Sequence, residues 1–98
     1  MEIKPKLIRV HHAGNTANLL SDEDSWLNYW KEHSSYSVPT TCPCCKHESS
    51  DIVGAHVIDE QGNLYICPTC RSCNSTYKNS KQYHWFEVEK RILVDLPK

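Results

Sequence analysis

Apolar positions along this chain are sparse and follow two rhythms. Trp26, Tyr29, Trp30 and His33 recur at i, i+3, i+4 and i+7, which places them on one stripe of a helix. Ser21 is a residue type that caps helix starts, and Asp22, Glu23 and Asp24 put negative charge in the first turn, where the helix dipole favours it. The pattern therefore predicts a helix over residues 21–33, with its aromatic stripe buried as core. Other apolar runs are short and β-branched. Leu7–Val10 reads as a strand inside an N-terminal arm of residues 1–20, followed by a turn at His11-His12-Ala13-Gly14-Asn15. Asp51–Ile58 is strand-like through Ile52, Val53, Val57 and Ile58; Asp59–Asn63 is a turn; Leu64–Ile66 is a second short strand. Asn74–Gln82 reads as a short helix. Tyr83–Val88 and Arg91–Leu96 read as two strands joined near Glu89-Lys90 and packed on the Trp26/Trp30 helix. The class expected is α+β, a single domain over residues 1–98.

Length and composition sharpen this picture. The chain has 98 residues, 39% of them hydrophobic, so its apolar core is thin and a domain of this size needs a staple. Six cysteines supply one. The net charge of −1 excludes a strongly basic nucleic-acid glove but leaves room for a local basic patch, for which Arg71, Lys78 and Lys81 on or just after the last short helix are the candidates. No run is long enough for a membrane span and Met1–Val10 lacks a signal-peptide stretch, so the expected location is cytoplasmic, with no membrane partner. Reducing conditions there favour metal binding over disulfides.

The cysteines themselves point to metal. Cys42-Pro43-Cys44-Cys45 contains one C-x2-C pair, and Cys67-Pro68-Thr69-Cys70-Arg71-Ser72-Cys73 contains two overlapping pairs, Cys67/Cys70 and Cys70/Cys73. Two such turns in one small chain suit a tetrahedral zinc ion held by four thiolates. His47 and His84 are spare nitrogen ligands. The order along the chain is then knuckle, hairpin, knuckle, helix.

These residues resemble a known family. Cys42-x2-Cys45, then Gly54-Ala55-His56-Val57-Ile58, then Pro68-Thr69-Cys70-Arg71-Ser72-Cys73-Asn74, is similar to the zinc-stabilised HNH domains of treble-clef (ββα-metal) type. The resemblance covers about residues 42–78. It implies a treble-clef unit with an added N-terminal helix and C-terminal strands, and structural zinc ligands at Cys42, Cys45, Cys70 and Cys73. It also places His56 at the family's general base and Asn74 at the last catalytic-metal position. Ala55 stands where the family often has a carboxylate or histidine, and Tyr65 where it has the asparagine that orients the base. Asp51 and Asp59 are the nearest acids and hold neither place.

Three functions follow as expectations. The first is a non-catalytic, HNH-like zinc module that binds nucleic acid or a protein partner. The second is an HNH endonuclease in which His56 activates water and Asn74 helps hold Mg2+ or Mn2+. The third is a thiol redox protein using Cys44 or Cys67, the two cysteines outside the zinc set.

Overall fold

A computed structural model describes residues 6–13, 23–77 and 83–96. Five strands, β1 (Leu7–His12), β2 (Ile52–Asp59), β3 (Leu64–Cys70), β4 (Phe86–Glu89) and β5 (Val94–Asp95), form one antiparallel sheet in the order β4-β1-β2-β3-β5. Two helices accompany it, α1 (Glu23–His33) and α2 (Arg71–Tyr77). The α+β class expected from the sequence is the class found. Ser21 and Asp22, the arm beyond residues 6–13, and Lys78 and Lys81 lie outside the described residues.

The hairpin β2–β3 is the spine. Its turn is set by Asp59, whose Oδ1 accepts the Gln61 and Asn63 amides at 2.9 Å each, while Oδ2 accepts the Asn63 side-chain amide at 3.1 Å and the Tyr65 hydroxyl at 3.2 Å. Gly62 takes φ 88°, which favours glycine. Burial alone would raise the Asp59 carboxyl, but the donors from Asn63, Gln61 and Tyr65 outweigh it and hold the group below its usual value.

β3 is longer than the sequence suggests. It does not stop at Ile66 but runs to Cys70, through a proline that cannot donate to a ladder. The reason lies in its neighbours. Pro68 pairs with Gly54 of β2 on one side, while β5 pairs only with Tyr65 and Ile66 on the other. At Pro68 the strand is in effect an edge, and the missing N–H costs no ladder bond.

A second difference concerns His11 and His12, expected in a turn. Both belong to β1, opposite Ile58 and Val57, and both are buried. Flanking rings make that possible: Tyr83 and Trp85 pack on His11, and Phe86 and Tyr77 lie beside His12.

Two apolar clusters pack about the sheet, and Val38 and Ile92 touch both. On one face α1 lays Trp26 and Trp30 against Ile66, with Val94 and Leu96 alongside, so the predicted core role of these tryptophans is borne out. His33, expected on the same stripe, is instead exposed and stacks on Tyr29 with ring centroids 3.9 Å apart. The other cluster holds Val10, Val57, Tyr65, Phe86, Val88 and the buried cysteines.

β4 and β5 do not form the local pair the sequence suggested. They occupy opposite edges, and only β5 lies with the Trp30 cluster. A flat five-stranded sheet would separate its edges by about 19 Å. The linking segment contains a 3-10 turn, Lys90–Ile92, and spans about 13 Å. The sheet must therefore curl to bring its edges together. The Trp30 indole N–H pins this link by donating to the Ile92 carbonyl at 2.7 Å.

Candidate metal centre

The candidate metal ligands come from three elements. Cys42 and Cys45 sit in a tight loop closed by the Cys42 amide donating to the His47 carbonyl (2.9 Å) and the Lys46 amide donating to the Cys42 carbonyl (2.8 Å). Lys46 has φ 66°, a left-handed conformation that folds the loop back and aims both thiols the same way. A Thr41–Glu48 bridge seals its base.

The second pair is built differently. It is not a free-standing knuckle: Cys70 is the last residue of β3, and Cys73 lies in the first turn of α2. The Cys73 amide donates to Cys70 Sγ at 3.4 Å, as an N–H at a helix start can. Of the two overlapping C-x2-C pairs, Cys70/Cys73 joins the first knuckle. The junction is tied by Arg71, whose amide donates to the Asp51 carbonyl (2.9 Å) and whose Nε meets the Asp51 carboxylate at 3.0 and 3.2 Å.

Cys42, Cys45, Cys70 and Cys73 bring their sulfurs within 4.8 Å of one another. Among the described residues this is the one such group of metal-ligand side chains. Four Zn–S bonds of about 2.3 Å in a tetrahedron require sulfurs about 3.8 Å apart. Cys45 Sγ and Cys70 Sγ are 3.9 Å apart. The set fits a divalent metal, with zinc the natural choice for four thiolates. Burial, together with the neighbouring thiols, pushes Cys70 and Cys73 above the usual thiol value. At Cys42 burial acts in the same direction but is outweighed by backbone N–H groups of Cys70, Cys45 and Cys44, so this thiol lies below its usual value.

The two remaining cysteines stay outside the set. Cys44 and Cys67 are buried in the same cluster. Burial pushes the Cys44 thiol up to about 11 and the Cys67 thiol higher still. His47 is exposed and contributes its carbonyl to the loop, and His84 stacks on Tyr77 at 4.4 Å; neither joins the cysteine group.

The two residues expected to work together in catalysis lie on different elements, β2 and α2. His56 lies on the face covered by α1, edge-on to Trp26 at 4.8 Å, and burial lowers its pKa. Asn74 is buried on α2. Asp51 is engaged by Arg71 and Asp59 by its own turn. Arg71, expected to face phosphates, is held by Asp51. Sequence reasoning missed His12 as a buried polar residue; its signal was the alternation with Val10 two residues before it and the aromatic run at residues 83–86, of which Phe86 lies beside the ring.

Comparison with protein-family models, curated proteins and solved structures gives no match. Among the described residues no helix is long and apolar enough to cross a membrane.

Proposed function

We propose that this chain is a zinc-binding module of the treble-clef, HNH-like kind in which the metal is structural and the protein acts by binding nucleic acid or a protein partner. One observation carries the reading: four sulfurs from a knuckle, a strand end and a helix start converge within 4.8 Å. The order knuckle, β2–β3 hairpin, α2 supports the treble-clef part of it. The engagement of both nearby carboxylates, Asp51 by Arg71 and Asp59 by its own turn, supports a non-catalytic role.

Metal analysis tests the proposal directly. Purified protein is expected to carry one zinc per chain and to unfold when a strong chelator removes it. Absence of tightly held metal, or a circular dichroism spectrum indifferent to chelation, would sink it. Nicking of plasmid DNA in Mg2+ or Mn2+, lost in His56→Ala, would return the chain to the nucleases.

A further inference from the structure

The side of β1 and β4 facing away from the cysteine cluster carries an aromatic array that the zinc site does not use. Arg9 and His11 project from this side of β1, alternating with Val10 and His12. Tyr83 lies flat on the His11 ring, with centroids 4.0 Å apart and planes 10° apart. Trp85 meets His11 edge-on at 4.6 Å, and the Arg9 guanidinium sits over the Trp85 ring at 5.2 Å. His11 is buried beneath these rings, whereas Tyr83 remains 66% exposed. One face of the Tyr83 ring is thus occupied by His11, and the outer part is presented to solvent.

We propose that this array is a stacking platform for the bases of single-stranded nucleic acid, with Tyr83 as the contact ring and Arg9 as the adjacent cation. A rigid aromatic ring beside an arginine offers what an unpaired base needs: a flat apolar surface with little entropy to lose and a nearby charge for the backbone. Duplex bases are already stacked on one another and gain nothing from it. The charge balance limits how phosphates contribute. Glu60 lies 3.9 Å from Arg9, and Glu87 is its register partner on β4. Binding is therefore carried by stacking, with one or two phosphate contacts at most, and depends weakly on salt. This inference rests on the proposed binding role of the module and names the class of its partner.

The test uses the zinc-loaded full chain and a labelled oligo-dT strand, followed by anisotropy and tryptophan quenching. Binding is expected, and Tyr83→Ala is expected to weaken it at least about fivefold. Tyr83→Phe is expected to stay within about twofold of wild type, since the ring is kept. Raising salt from about 50 to about 200 mM should weaken binding only about three- to sevenfold. Tyr36, a second exposed tyrosine beside an arginine (Arg91, 5.4 Å), serves as the control; Tyr36→Ala is expected to bind normally. Equal zinc content and melting temperature in Tyr83→Ala and wild type establish that the loss is local. The proposal is overturned if Tyr83→Ala binds like wild type, if Tyr36→Ala loses as much, or if duplex DNA binds as tightly. Full zinc content with no oligonucleotide binding would overturn the platform while leaving the zinc module standing.

Discussion

His12 shows how a single residue can be misread from its letters alone. Two adjacent histidines before Ala13-Gly14-Asn15 look like a polar turn, yet the His12 ring is buried between Tyr77 and Phe86, with Nε2 3.4 Å from the Thr69 hydroxyl and Nδ1 without a hydrogen-bond partner among the described residues. Burial first, and then the charges of His84 and His11, lower its pKa from 6.5 to about 4. The unfolded chain therefore takes up a proton at a higher pH than the folded one does. Stability from this group is complete above pH 6.5 and is lost as pH falls from there toward 4, by up to about 3 kcal/mol. Denaturant unfolding of zinc-saturated wild type and His12→Gln across this window checks the sign. The two share the same metal site, so the difference between their profiles isolates the imidazole. Wild type is expected to lose more stability on acidification, and parallel profiles would refute the assignment.

At the scale of elements, the packing of α1 on the hairpin depends on an absent side chain. A Cβ at Gly54 would lie 2.5 Å from the Leu27 amide nitrogen and 2.6 Å from the Trp26 carbonyl carbon, both backbone atoms that cannot rotate away. Gly54→Ala is expected to lift α1 from β2, expose the Trp26/Trp30 cluster and destabilise the fold by at least about 1–3 kcal/mol. A red-shifted tryptophan emission and a lower melting temperature are the readouts; an unchanged spectrum would show that the helix can shift at no cost. The amphipathic stripe announced this helix, and the β-branched runs announced β2. The β3 extension past Pro68 was hidden, because a proline is acceptable only where the neighbouring strand has already ended, and strand length on the far side is not written in the residue itself.

For the whole molecule, the decisive comparison is between the metal and everything else. A domain of this size has a total stability of about 5–15 kcal/mol, and structural zinc in small fingers is worth about 10–16 kcal/mol. Loss of the ion therefore removes about as much as the folded state has. Cys73→Ser is expected to abolish stoichiometric zinc and cooperative folding, whereas Cys44→Ser, outside the four converging sulfurs, is expected to keep one zinc per chain. Metal content and thermal melting of the two variants check this, and equal zinc loss in both would mean that Cys44 is a ligand.

The residue sequence determined the chemistry by itself. Closely spaced cysteines carry their metal-binding capacity in their spacing, and Trp26 and Trp30 carry their burial in a 3.6-residue period, since both properties are local. Tertiary structure decided what local rules cannot reach. It chose Cys70/Cys73 over Cys67/Cys70, because a strand end and a helix start aim those two thiols at the knuckle while Cys67 points into the core. It laid His56 against Trp26 of α1, and it sent β4 and β5 to opposite edges of the sheet. Register, sheet face and edge are relations between segments distant in sequence, so they exist only once the chain has closed on itself.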